Sequence, residues 1–92
     1  MKELRATLIA RIRRTPTVES SRFMPEEKIN FLPGQFTRLI FDEKNRGNKE
    51  LNKYLSFSCS PDREYVEVTK RLSNSIFSAR LKNLKINDEV LL

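Results

Sequence analysis

Short runs in which apolar side chains recur at every second position dominate this chain, and that period favours strands that bury one face. Leu4, Ala6, Leu8, Ala10 and Ile12 form one such face, with Arg5, Thr7, Ile9, Arg11 and Arg13 on the other. Thr15-Pro16 turns the chain, and Thr17 to Phe23 reads as a second strand paired with the first in a hairpin. Pro25 to Lys28 is a polar connector, and Pro33-Gly34 permits a tight turn as Phe31 to Phe36 leads into a third strand. Asp42 to Asn52 is the most polar interval and reads as a mobile loop between strands. Tyr65 to Lys70 is another alternating run rich in β-formers. One segment changes period: Phe77, Leu81 and Leu84 stand at helical spacing, which predicts a helix over Ile76 to Asn83 with Ser75 as its cap. Asn87-Asp88 ends it, and Glu89 to Leu92 begins a last strand. The residues by themselves therefore give a small β-barrel plus one helix.

The run Lys53 to Pro61 (KYLSFSCSP) is the centre of this pattern. Leu55 and Phe57 share one face, and Ser56, Ser58 and Ser60 line the other. A face kept that small suits something flat and polar lying against it. Composition removes other chemistries: with one cysteine, Cys59, and no histidine among 92 residues, no internal disulfide exists and a His/Cys zinc site has almost nothing to be built from. The ordinary role for Cys59 is a small buried strand residue. Asp42, Glu43 and Glu50 are interspersed with Lys44, Arg46 and Lys49, which marks a solvated loop rather than catalytic carboxylates. A net charge of +6 biases the chain toward anions: nucleotide phosphates, nucleic acid or an acidic partner. No stretch approaches the roughly 20 apolar residues that span a bilayer, so a soluble cytoplasmic protein is expected. Unpaired N–H groups at a helix start bind anions, so Ser75, Ile76, Phe77 and Ser78 are candidates to receive a pyrophosphate. The alternative is an ordinary capped helix.

Lys53-x-Leu55-Ser56-x-Ser58-x-Ser60-Pro61 resembles the Arg-x-Tyr-Ser/Thr-x-x-Ser-Ser-Pro motif of the flavin-binding domain in the ferredoxin-NADP reductase superfamily. The resemblance implies that Lys53 meets the flavin pyrophosphate, that Leu55 packs on the isoalloxazine ring and that Ser56 bonds the flavin near N5. Lysine keeps the charge of the family's arginine without its planar fork, and leucine keeps apolar contact without ring stacking. Tyr54, one position away, points to the opposite strand face. Thr15 to Phe23, Pro33-Gly34-Gln35-Phe36, Ser75-x-x-Ser78-x-x-Leu81 and Asn87-Asp88-Glu89-Val90 resemble further family segments in the expected order. Ser75 and Asn87 stand where the family usually has glycine.

The resemblance implies an all-β fold, a six-stranded antiparallel Greek-key barrel with one short capping helix. Residues 1–92 would form an FAD-binding barrel domain without the NAD(P)-binding domain that normally follows. Its implied function is that of the flavin-binding domain of an NAD(P)H-dependent oxidoreductase, with FAD (FMN as the alternative) and with NAD(P)H entering only through a second domain. An NAD(P)-binding domain or subunit and an electron-acceptor protein are the implied partners. The isolated chain is expected to be inactive in nicotinamide oxidation. Two other readings follow from the residues: a basic barrel binding single-stranded nucleic acid through Phe23, Phe31, Phe36 and Tyr54, and a flavin-free interaction module. On the flavin reading, Lys53, Ser56 and the backbone of Ser75 to Ser78 converge on one groove.

Overall fold

The first two strands, β1 (Arg5–Thr15) and β2 (Val18–Pro25), form the predicted hairpin, and the Thr15 hydroxyl tightens its turn by accepting from the Thr17 and Val18 N–H groups. The structure is a computed structural model that describes residues 3–32, 35–60 and 62–92. The Pro33-Gly34 turn and Pro61 lie outside the described residues. The remaining elements are β3 (Phe36–Ile40), β4 (Asn52–Ser56), β5 (Val66–Arg71), α1 (Ile76–Asn83) and β6 (Glu89–Leu91).

All strand pairs are antiparallel, in the order β4-β3-β6-β1-β2-β5. The two edges meet at a single bridge, Phe57 to Val68, which curls the sheet into the expected barrel. Because β2 lies beside β5 while the chain between them runs through β3 and β4, the connection from β2 to β3 crosses an end of the barrel, a Greek-key path. Inside sit Leu8, Phe23, Leu39, Val66 and Val68, with Phe77 and Leu81 of α1 closing one end. Among the described residues no helix is long and apolar enough to cross a membrane.

The helix has the predicted bounds and cap: the Ser75 hydroxyl accepts from the Ser78 N–H at 3.1 Å. Ser75 has φ −70° and ψ 158°, extended backbone that needs no glycine. Asn87 does take the left-handed conformation, φ 81°, and asparagine is among the few residues that adopt it readily.

The first strand departs from its simple alternation. Leu8 pairs with Phe23 and Ala10 with Arg22, so Ile9 is an extra residue, a β-bulge. Beyond it the faces exchange: Arg11 lies opposite Ser21 and Arg13 opposite Glu19, while Ala10 and Ile12 share the other face with Arg22 and Ser20, the last buried beneath Arg14 and Thr69. The Arg11 guanidinium then donates to the carbonyls of Leu81 (2.7 Å), Lys82 (2.8 Å) and Leu84 (2.6 Å), which binds the C-terminal end of α1 to the barrel. The Asp42-to-Asn52 interval is stitched by the buried Asn52. Its side-chain oxygen accepts from the Phe41 and Asp42 N–H groups, and its amide donates to the Asp42 and Asn45 carbonyls.

Candidate functional site

Backbone direction on β4 and β5 determines what the barrel leaves open. The Phe57 N–H donates to the Gln35 carbonyl and the Phe41 N–H to the Leu51 carbonyl, so odd-numbered residues of β4 turn their backbone groups toward β3. Tyr54 and Ser56 turn theirs away. On β5 the Leu72 N–H donates to the Thr17 carbonyl, so by the same alternation Thr69 and Arg71 turn theirs away from β2. The Ser58 N–H donates to the Glu67 carbonyl at 2.8 Å, beside the Phe57 to Val68 bridge. Continuing that register would set Ser56 against Thr69 and Tyr54 against Arg71, but the pairing stops. The result is a seam whose β4 edge presents the N–H and C=O groups of Tyr54 and Ser56.

Lys53 and the start of α1 occupy the mouth of this seam. Glu50, Lys53, Asn74, Ser75 and Ile76 line one groove of about 290 Å³, and Lys53 also lines a second, of about 530 Å³, with Arg38, Lys49, Asn52 and Tyr54. Helix geometry leaves the Ile76 and Phe77 N–H groups without intrahelical acceptors, while the Ser78 N–H is taken by the Ser75 hydroxyl. Three of the residues singled out in the sequence, Lys53, Ser75 and Ile76, are thus brought together. The others are not: Phe77 is wholly buried, Ser78 is buried with its hydroxyl accepting from the Ser73 N–H, and Leu55 is 9% exposed in the core opposite Thr37. Ser56 is exposed farther along the strand, opposite Phe36.

The small-hydroxyl face is partly engaged. Ser58 donates to Glu67 Oε1 at 2.9 Å and accepts from Thr69 at 2.8 Å, and Thr69 and Ser20 share a hydrogen bond of 2.7 Å. Glu67 is buried, yet Arg22 Nε donates to Oε2 at 2.7 Å and Arg14 lies 3.5 Å from Oε1. Burial pushes the Glu67 carboxyl up, but the hydrogen bonds from Arg22 and Ser58 and the two arginine charges outweigh it and hold it below the usual glutamate range. This polar wall closes the outer face of the barrel beside the bridge.

Arg38, Lys49, Asn74 and Tyr54 are lining residues that the motif did not assign. Tyr54 was visible as the outward position of the central run, but only the register of β3 against β4, with Arg38 opposite Tyr54, shows the cation beside it. Lys49 reaches the groove from the loop that Asn52 orders.

No protein-family model and no curated protein matches the chain. Solved structures do. A ferredoxin NADP+ reductase from Neisseria gonorrhoeae, crystallised with FAD and NADP, matches at 22% identity and a TM-score of 0.82, covering 100% of this chain and 37% of that one. The ferredoxin reductase in carbazole 1,9a-dioxygenase matches at 27% identity and 0.80, covering 99% of this chain and 28% of that one. The cytochrome b5 reductase domain of Ulva prolifera nitrate reductase matches at 18% identity and 0.74, covering 98% and 38% respectively. The chain thus spans well under half the length of the structures it matches. A likeness of this extent over the whole chain shows that it has the barrel fold that these reductases contain, in keeping with the resemblance of the Lys53-to-Pro61 run and the Ser75-to-Leu81 spacing.

Proposed function

We propose that the chain holds a flavin across the β4–β5 seam and serves as the flavin-binding domain of an NAD(P)H-dependent oxidoreductase. The observation that carries this reading is the convergence of Lys53 with the first residues of α1 at the mouth of a seam whose β4 edge lacks sheet partners. A pyrophosphate suits that mouth, because a cation and helix-start N–H groups meet there. The seam suits the hydrogen-bonding edge of an isoalloxazine, with the Tyr54 and Ser56 backbone groups as partners and the Ser56 hydroxyl beside them. Leu55 supports this arrangement from the core side by fixing β4. Bound flavin supplies the electron-transfer chemistry; the chain binds and orients it. An NAD(P)-binding domain and an electron acceptor are the partners this reading implies.

The nucleic-acid alternative has less to stand on than composition suggested. Arg11 is engaged with the end of α1, Arg13 with Glu19 and Arg14 with Glu67. Purified chain titrated with FAD is expected to bind in the micromolar range, on the order of −8 kcal/mol. Absence of FAD and FMN binding, with salt-sensitive binding of single-stranded DNA instead, would sink the flavin reading.

A further inference from the structure

The polar wall beside the Phe57 to Val68 bridge is a circuit. A second irregularity of β1, between Arg13 and Thr15, leaves Arg14 without a register partner on β2. Its Nε donates to the Ser20 hydroxyl at 3.0 Å, and its Nη2 lies 3.5 Å from Glu67 Oε1. Three hydroxyls span the gap between those contacts: Ser20 to Thr69 at 2.7 Å, Thr69 to Ser58 at 2.8 Å and Ser58 to Glu67 Oε1 at 2.9 Å. A hydroxyl has one proton to give, and a carboxylate only accepts. Ser58 spends its proton on Glu67 and Thr69 spends its own on Ser58, so Ser20 supplies the proton that it shares with Thr69. The hydroxyls therefore all point one way, from Arg14 to Glu67. Arg22 Nε holds the other Glu67 oxygen at 2.7 Å, which fixes the acceptor at the end of the chain.

We infer that this circuit is a clasp that fastens the β4 side to β5 at the closed end of the seam, with Ser20, Thr69 and Ser58 acting as one unit to hold the Tyr54 and Ser56 edge in place for its ligand. The inference rests on the flavin reading above and deepens it. The three hydroxyls are positioning residues, acting through the strand. Little backbone does the same work: among the described residues, the Ser58 N–H donates to the Glu67 carbonyl at 2.8 Å and the Glu67 N–H to Cys59 Sγ at 3.1 Å, beside the single bridge. Linked hydrogen bonds polarise one another, so the loss of one link weakens the next. Ser20 is the informative position. It is wholly buried on β2, and its hydrogen-bonded path to Ser58 runs through Thr69.

The test reads amide hydrogen exchange in the ligand-free 92-residue chain, then titrates it with FAD and FMN. Ser20→Ala, Thr69→Val and Ser58→Ala should each speed exchange of the Ser58 and Glu67 amides about fivefold, the scale of one hydrogen bond. The Leu8 amide, which bonds the Asp88 carbonyl, should keep its rate. Joining Ser20→Ala to Thr69→Val should add little to either alone, and Thr69→Ser should restore the native rates. Both flavins should bind about fivefold more weakly to the three variants and normally to Thr69→Ser. Thermal melting checks that the variants fold, as the exposed Ser58 and Thr69 permit. Ser58 exchange unaltered by Ser20→Ala, or effects that add in the double variant, overturns the clasp whatever the flavins do. Faster exchange with undiminished flavin affinity overturns the positioning role and leaves the flavin reading standing. Faster exchange in the variants, with neither flavin bound even by the unaltered chain, supports the clasp and removes the flavin reading instead.

Discussion

Lys53 is the side chain on which the proposed pyrophosphate site turns, and its removal should act on ligand more than on fold. It is partly exposed at the groove, so Lys53→Ala should leave the thermal midpoint nearly unchanged and weaken FAD retention about tenfold, the scale of one charge-assisted hydrogen bond. Equilibrium dialysis checks this, and unchanged retention would remove Lys53 from the site. Glu67 makes a stability prediction. Its carboxyl is held below the ordinary value, so the folded state favours the ionised form. The contribution is fully present above the unfolded glutamate value, about 4.3, and is lost as pH falls through the lower folded value. Asp42, through Asn48, and Glu43, through Arg5, are shifted the same way. Urea midpoints should therefore hold steady from neutrality to about pH 5 and fall below it. Glu67→Gln should lower the plateau, since Arg14 and Arg22 lose their shared counter-charge, and flatten part of the acid slope. An acid slope identical to that of the unaltered chain would show that Glu67 does not carry it.

Among the elements, α1 closes the barrel, and it is secured at both ends by different chemistry. Ser75 caps its start, so Ser75→Ala should cost about 1 kcal/mol and Ser75→Gly only a few tenths, measured by urea unfolding. The family's usual glycine at this position is thus compatible with the same turn. Arg11 secures the other end through the carbonyls of Lys82, Leu84 and Leu81, the last of which also accepts from the Leu84 N–H. Arg11→Met should cost about 1–3 kcal/mol and should speed amide exchange in α1 before it speeds exchange in β2. Equal acceleration in both elements would show that the helix is held by Phe77 and Leu81 alone. The Ile9 bulge makes the Arg11 contact possible, because without the extra residue that side chain would point to the outer face.

For the whole molecule, the limit is set by what the barrel contains. Aligning a nicotinamide with a flavin is a positioning task, and effective molarities in favourable systems are worth about 7–11 kcal/mol. The proposed site takes one flavin, and the chain covers only 37% of the FAD- and NADP-bound reductase that it resembles. As an isolated polypeptide it should show no saturable NAD(P)H oxidation above that of free flavin, and adding a cognate nucleotide-binding domain should restore turnover. Steady-state assays at varied NADH and NADPH check this. Saturation by the isolated polypeptide would mean that a nicotinamide site lies within the barrel.

Local spacing carried much of this protein in its sequence. The period of two set the strands, the Phe77, Leu81 and Leu84 spacing set the helix with its cap, and the central motif pointed to Lys53, because each depends only on residues a few positions apart. Where strands meet does not. The Ile9 bulge reversed the outer half of β1, and no local pattern announces it, since an extra residue is defined only against the partner strand. The same holds for the unpaired seam, for the burial of Glu67 between two arginines, and for Arg38 and Lys49 flanking Tyr54. Each is a long-range register, settled only when the chain closes on itself.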